Sequence, residues 1–250
     1  MKISKLEDND ALKLLVKDTT PTFINTVRRA VMSYVPTLSV EKVSIYKNDS
    51  VLFDELLANR LALVPIKTNL KEYGEKDTLK LTLKSDGPGI VYASEIKSKD
   101  PKVKPVYGKT PIAKLLKDQC VELIATAVLG QGTDHTKFSP GLAYYKLKPD
   151  VKLNKTVKNP DAVAKSCPVN IFNVKGNNIS VNKDHVLKCL LCNQCVELAD
   201  PSDAIEIEQG PDIVFYAESW GQLTCKEMVM AALEEYENDL TKFEELLKEA

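Results

Sequence analysis

Val229, Leu233, Tyr236, Leu240, Phe243 and Leu247 follow one another at spacings of 4, 3, 4, 3 and 4, a heptad seam. The pattern predicts one long helix over 221–249. About 29 residues at a rise of about 1.5 Å give about 43 Å, against about 30 Å for the width of a small domain. Part of the seam then has to project beyond the sheet that the helix packs on. The opposite face is acidic, with Glu234, Glu235, Glu237, Asp239, Glu244 and Glu245, which argues against a DNA-binding helix. A seam folded back onto its own core is the simpler arrangement. The excess length favours a seam that packs on another chain.

A second stretch, Thr22 to Ile66, joins a helix, a strand and a helix with little loop between them. The arginines of this lysine-rich chain, Arg28, Arg29 and Arg60, all fall inside it. A guanidinium is planar, forked and weakly hydrated, so it suits fixed, partly buried pairing with carboxylates or carbonyl oxygens. Their clustering points to specific protein contacts made by this segment. Thr20 followed by Pro21 is a helix start, with the hydroxyl as N-cap and proline at the first helical position. Phe23, Val27, Ala30, Val31 and Tyr34 then form one apolar face, and Pro36 ends the helix. In the following strand Leu38 and Val40 lie on one phase, but Val43 and Ile45 on the other. A β-bulge near Glu41-Lys42 accounts for the switch. The second helix covers Phe53 to Ala62.

Elsewhere the pattern is mostly of strands. Residues 2–18 read as a hairpin, with Ile3 and Leu6 before an Asp8-Asn9-Asp10 turn and Leu12, Leu14 and Val16 after it. From Lys67 to about Thr156, alternation at Leu79, Leu81 and Leu83 and strand-like runs at Ile90–Ile96, Cys120–Leu129 and Leu142–Leu147 predict a mostly antiparallel β insertion. A cysteine-bearing unit follows over 157–209, and Asp212 to Tyr216 returns as a strand.

The bulk composition, 44% hydrophobic and 28% charged with a net charge of −1, is that of an ordinary folded protein and carries no basic footprint for nucleic acid. MKISKLEDND has no apolar signal region, and the six-residue apolar run Met228–Leu233 is too short to span a bilayer, so a cytoplasmic protein is expected. Thiols in that compartment stay reduced, and the cysteines read as metal ligands or core residues before disulfides.

Cys189, Cys192 and Cys195 recur at three-residue spacing, preceded by Cys167-Pro168. Three thiolates so spaced let one tight turn wrap three corners of an iron–sulfur cube, and a Cys-Pro cysteine supplies the fourth in bacterial-type ferredoxins. A second cluster lacks its ligands, since Ala199, Val157, Pro160 and Val163 stand where cysteines would be required. The set predicts one [4Fe-4S] cluster on Cys167, Cys189, Cys192 and Cys195, mainly as a staple for a unit with a small core. Zinc on four cysteines is the alternative, though such sites usually pair two separate Cys-x-x-Cys knuckles. Cys120 and Cys225, in apolar segments, read as core residues.

Nucleotide motifs fail on inspection. Gly108-Lys109-Thr110 lacks the first glycine of a P-loop, because position 103 is Val103. Gly130-Gln131-Gly132 lacks the third glycine of a dinucleotide fingerprint, because position 135 is His135. With His135 and His185 far apart in the chain, no histidine metal pair or triad is visible, and His135 reads as structural.

Two stretches carry a resemblance. Asn25-Thr26-Val27-Arg28-Arg29-Ala30-Val31-Met32-Ser33 with Val35-Pro36-Thr37, and Asp54 to Ile66 (DELLANRLALVPI), resemble the archaeal D-type, alpha-like family of RNA polymerase subunits. That family is the counterpart of the third-largest eukaryotic subunit and of the amino-terminal domain of bacterial alpha. His135-Thr136-Lys137-Phe138-Ser139-Pro140 is similar to its histidine-lysine loop, and the ferredoxin-like insertion belongs to its archaeal branch. Asn59 stands where many relatives have histidine.

The resemblance implies an α+β protein. A split α/β dimerisation domain (1–47 and 210–250) would carry an inserted, mostly antiparallel β domain (48–156) and a small ferredoxin-like iron–sulfur domain (157–209). It implies a non-catalytic assembly subunit that pairs with the small subunit L and forms the platform for the large catalytic subunits and small zinc-bearing subunits, without sequence-specific DNA contact of its own. The expected partner-facing residues are Phe23, Val27, Arg28, Arg29, Val31 and Arg60, with the seam at Val229, Leu233, Tyr236, Leu240, Phe243 and Leu247. Some members keep three ligands and a [3Fe-4S] cluster, whereas four cysteines here favour [4Fe-4S]. The competing function is a stand-alone ferredoxin-type electron carrier, which leaves the arginine-bearing helices and the seam without a purpose.

Overall fold

The computed structural model describes residues 1–8, 11–74 and 76–249. The chain opens with β1 (Lys2–Asp8), β2 (Ala11–Lys17), α1 (Pro21–Ser33), β3 (Thr37–Asn48) and α2 (Asp54–Ala62). It continues through β4 (Thr78–Asp86), β5 (Gly89–Tyr92), β6 (Lys97–Ser98), β7 (Pro111–Leu115), β8 (Cys120–Gly130) and β9 (Gly141–Leu153). It closes with α3 (Pro160–Ser166), β10 (Phe172–Lys175), β11 (Asn178–Val181), α4 (Gln194–Leu198), β12 (Ile205–Ser219) and α5 (Cys225–Glu249). This is the expected mixture of helices with antiparallel sheets. Two compact units result. One contains Met1–Leu6, Lys13–Ile24 and Tyr145–Phe215, and the other Glu7–Leu12, Asn25–Tyr144 and Tyr216–Ala250.

The first unit holds most of β1, β2, β12 and β9, which lie side by side in that order in one sheet. The predicted turn between β1 and β2 falls on Asn9 and Asp10, outside the described residues. The cysteine-bearing segment has a core of its own: Val157, Val163, Ile171, Phe172, Ala204 and Ile205 are buried together with Cys167, Cys189 and Cys195. Asn159 fastens the start of α3 to the end of α4, its side-chain amide donating to the Leu198 carbonyl at 2.7 Å. Strands β10 and β11 form an antiparallel hairpin that closes between Lys175 and Asn178. Gly176 occupies the first loop position at φ +59°, where a two-residue turn needs a residue without a Cβ.

In the second unit, β3, β8, β4 and β6 form an antiparallel sheet and β5 pairs with β7. The predicted bulge is present: the β3–β8 register steps from Val40–Ala127 to Lys42–Thr126, which leaves Glu41 as the extra residue. That step lets Leu38 and Val40 before it, and Val43 and Ile45 after it, all pack on one core. Helix α2 buries Leu57 and Leu61, four residues apart, in the same core, and each contributes about 2 kcal/mol of hydrophobic stabilisation. Buried polar groups at the start of β3 are satisfied. The Thr37 hydroxyl donates to the Phe138 carbonyl, the Ser39 hydroxyl to Ala62, and the Leu38 N–H to the Thr68 hydroxyl.

Four expectations about elements need correction. The predicted strand Ile90–Ile96 stops at Tyr92, because the Glu95 carboxylate accepts the Tyr92 N–H at 2.8 Å and turns the chain through Ala93–Glu95. β12 extends the expected strand at 212–216 in both directions, back to Ile205 and on to Ser219. Cys120 is half-buried rather than a core residue. The last helix begins at Cys225 instead of Gly221, so its 25 residues span about 37 Å. Gly221 lies at φ +95°, with so little room that a Cβ would meet Val106 Cγ1 at 2.4 Å. Helix entry comes at Thr224, whose hydroxyl accepts the Glu227 N–H (3.2 Å) while the Glu227 carboxylate accepts the Thr224 N–H (2.9 Å). This is a reciprocal capping box.

Candidate assembly surface and cysteine cavity

Helix α5 is two-sided along its first turns and exposed beyond them. Cys225, Met228, Ala231 and Ala232 are buried, at the spacing of one helical stripe. The seam faces another way. Val229 is half-buried, Leu233 and Tyr236 are exposed, and Leu240, Phe243 and Leu247 are 52%, 61% and 61% exposed. Met230 and Leu246, which the heptad count passes over, are exposed beside them. Every described residue from Glu237 onward is exposed. Isolated surface apolar residues need no explanation, whereas a contiguous exposed apolar ridge makes this face a candidate interaction surface.

At the start of α1 the Thr20 hydroxyl accepts the Phe23 N–H at 3.3 Å, as the Thr-Pro pair predicts. The buried positions are Ile24, Ala30 and Val31, with Val35 just after the helix. Phe23, expected among the partner-facing residues, is 40% exposed, and Val27 is half-buried. The inward stripe passes through 24, 31 and 35 and leaves Phe23 beside it. Val31, expected to face a partner, is fully buried and belongs to the core.

The arginines differ in use. Arg29 is exposed. Arg28 lies along its own helix, donating from Nε to Asn25 Oδ1 at 3.1 Å and from a terminal nitrogen to Met32 Sδ at 3.6 Å. Arg60 corrects its assignment as a partner contact. Its Nε donates to the Ile112 carbonyl at 2.8 Å and a terminal nitrogen to the Pro111 carbonyl at 2.6 Å. The fork therefore ties α2 to β7 within the same unit. Pairing of guanidinium with carbonyl oxygens was legible in the sequence; the identity of the carbonyls was not.

The histidine-lysine loop is structural in the same sense. His135 Nδ1 accepts the Lys137 N–H at 3.1 Å, and Lys137 Nζ donates to the Val40 carbonyl at 3.1 Å while pairing with Glu41. Val40, Glu41, Asn59, Leu63, His135 and Lys137 border a shallow cavity of about 230 Å³.

The four predicted ligand cysteines border one small cavity, together with Pro168, Ile171 and Ile207. All four are free thiols, with Cys167, Cys189 and Cys195 buried and Cys192 exposed. The loop carrying three of them bends sharply, with Leu191 at φ +58° and Asn193 at φ +59°. A left-handed leucine is strained and persists where surrounding contacts over-determine it. The Leu191 N–H points back to Cys189 Sγ at 3.5 Å. Burial, followed by the neighbouring Cys189 and Cys167, pushes the Cys195 thiol from 9.0 up to about 11. Crowded, buried thiols resist ionisation until a cation neutralises them. From β9, Lys146 Nζ donates to the Cys189 carbonyl at 3.1 Å; burial lowers its pKa, and the Cys189 thiol opposes that shift. Among the described residues no three His, Cys, Asp or Glu side chains converge closely enough to hold a single metal ion. No described helix is long and apolar enough to cross a membrane.

Comparison with known proteins places these features in a family. Residues 41–141 match the family model described as the RNA polymerase Rpb3/RpoA insert domain. The chain is 36% identical over 248 residues to DNA-directed RNA polymerase subunit Rpo3 of Methanosarcina acetivorans, covering 92% of this chain and 91% of that protein. It is 36% identical over 232 residues to subunit Rpo3 of Pyrococcus horikoshii, covering 90% and 88%. With subunit Rpo3 of Archaeoglobus fulgidus it shares 30% identity over 261 aligned positions, covering 99% and 98%.

Proposed function

The chain belongs to the Rpo3 family of DNA-directed RNA polymerase subunits, and from that premise we propose that it works by offering the α5 ridge to a smaller helical subunit. It is a non-catalytic assembly subunit of a nucleotidyltransferase complex. Residues 1–47 and 210–250 form its split dimerisation domain, 48–156 the insert and 157–209 the cluster domain. The partner is subunit L, and the pair is the platform for the large catalytic subunits and the small zinc-bearing ones. One observation carries this reading: Leu240, Phe243 and Leu247 are more than half exposed on a helix whose buried stripe ends at Ala232. Phe23, Val27, Arg28 and Arg29 extend the partner-facing set.

The test is co-expression with subunit L and measurement of affinity by calorimetry. Leu240→Asp with Phe243→Asp places two charges in the ridge and is expected to abolish pairing, at a cost of several kcal/mol. Because both side chains are exposed in the free chain, its own unfolding midpoint is expected to stay within about 0.5 kcal/mol of the unmodified value. Unchanged affinity removes the ridge from the interface.

Cys167, Cys189, Cys192 and Cys195 are the residues that would hold one [4Fe-4S] cluster. The donor set suits it: four thiols border one cavity, three of them on a strained loop. Bound there, the cluster cross-links α3, the cysteine loop and α4 and so staples a small core. Iron and sulfide assay of the anaerobically purified chain decides between this cluster, a three-iron form and zinc. The electron-carrier alternative predicts a monomer with a brown chromophore and no affinity for subunit L.

A further inference from the structure

We propose that Lys146 is a positioning residue for the cysteine loop, holding Cys189 where it ligates and offsetting the negative charge of the thiolate-bound cluster. The charge half of this inference rests on the cluster reading above. Lys146 stands on β9, in the sheet of the first unit, and its Nζ reaches the Cys189 carbonyl at 3.1 Å across 43 residues of sequence. Other lysines of β9 turn to carboxylates: Lys148 approaches Asp212, and Lys152 pairs with Glu208. Lys146 is half-buried and turns to the main chain of a proposed ligand residue. Burying part of a lysine is unfavourable unless its polar head is satisfied, so the bond to Cys189 fixes both ends.

The geometry points to two consequences. The loop from Cys189 to Cys195 contains two left-handed residues, Leu191 and Asn193, and such a backbone needs outside contacts to hold it. A hydrogen bond from a strand to the first cysteine of the loop is one of those contacts. Second, four thiolates around an iron–sulfur cube make a net anion, and nearby charge and hydrogen bonding are the levers that set its potential and stability. A lysine head beside Cys189 acts in the direction that stabilises the anion.

The experiment compares the full chain with Lys146→Met, which removes donor and charge, and Lys146→Arg, which keeps both. In the metal-free, reduced chain, amide hydrogen exchange of residues 189–195 is followed by peptide mass. Lys146→Met is expected to exchange about tenfold faster, the factor that loss of one charge-assisted hydrogen bond produces, and Lys146→Arg within about twofold of the unmodified chain. Equal rates for Lys146→Met and the unmodified chain overturn the positioning role. In the iron- and sulfide-loaded chain, Lys146→Met is expected to lose iron in air several-fold faster and to show a lower mid-point potential, with Lys146→Arg restoring both. Loaded variants that match the unmodified chain in both readouts overturn the charge role. A chain that takes up neither iron nor sulfide sinks the cluster reading and the charge role with it, while the exchange rates still decide whether Lys146 positions the loop.

Discussion

Lys137 Nζ donates to the main-chain carbonyl of Val40 at 3.1 Å, at the point where β3 gains an extra residue. The same ammonium pairs with Glu41, the bulged residue itself, and lies 4.9 Å from the Phe138 ring centre. Its side chain is 10% exposed and that of Glu41 45%, so the ammonium is shielded while the carboxylate meets water. The bulge thus re-aims the strand so that four apolar residues share one core, and the polar groups it disturbs are collected by one lysine 97 positions away.

Replacing Lys137 by methionine is expected to destabilise the chain by about 1–2 kcal/mol, because a carbonyl at the bulge loses its donor. Urea unfolding measures it. Glu41→Gln is expected to cost less, since Glu41 is half exposed and water replaces its partner. An unchanged midpoint in Lys137→Met would show that the bulge stands without the lysine.

The bulge was legible because strand alternation is strict: a phase switch from Leu38 and Val40 to Val43 and Ile45 has few physical causes. Lys137 as its partner was not legible, since nothing local in Thr136-Lys137-Phe138 reports a contact so distant in sequence. The seam of α5 was readable from spacing, yet spacing does not say which stripe of a helix a sheet will cover. The covered stripe here is Cys225, Met228, Ala231 and Ala232, with Leu233 and Tyr236 left outside. The capping box of α5 was in plain view as Thr224 and Glu227, and it corrects the helix start. At the cysteine cavity the four thiols could be chosen by spacing, but Lys146 carries no motif.

Arg60→Lys is expected to cost about 1–2 kcal/mol of chain stability, because one ammonium cannot reproduce a fork that meets the Pro111 and Ile112 carbonyls together. Affinity for a partner on the α5 ridge is expected to be unaffected. Denaturant unfolding and calorimetry separate the two. A variant of full stability with weakened partner binding would return Arg60 to the interface.

The capping box of α5 makes a pH-dependent contribution with a definite sign. Hydrogen bonds from the Thr224 N–H and then its hydroxyl hold the Glu227 carboxyl below its ordinary value of 4.5. A group lowered on folding stabilises the folded chain above its unfolded pKa, and that contribution fades as pH falls through the folded one. The stability difference between the unmodified chain and Glu227→Gln is therefore expected to be constant near neutrality and to shrink below pH 4.5. Thr224→Ala, which removes the cap hydroxyl, is expected to cost about 1 kcal/mol. Circular dichroism melts across acidic pH check both, and a difference that grows on acidification contradicts the assignment.

The cysteines provide the most direct chemical test. In the metal-free chain Cys192 is exposed and reacts first with an alkylating reagent, whereas Cys195, pushed up to about 11, stays a thiol at pH 8 and lags. The Cys195 rate is expected to climb with pH until about 11, well past the range in which an ordinary cysteine levels off. Loading with iron and sulfide should protect all four thiols, because coordination keeps each as a bound thiolate, and a strong chelator should restore their reactivity. Cys192→Ser removes one corner and is expected to lower the bound iron and loosen 157–209, seen as faster proteolysis there. Pairing through α5 is expected to survive, since the ridge and the cysteine loop belong to different compact units. Full iron content in Cys192→Ser would place the fourth ligand elsewhere, and loss of pairing would mean that the staple serves the ridge as well.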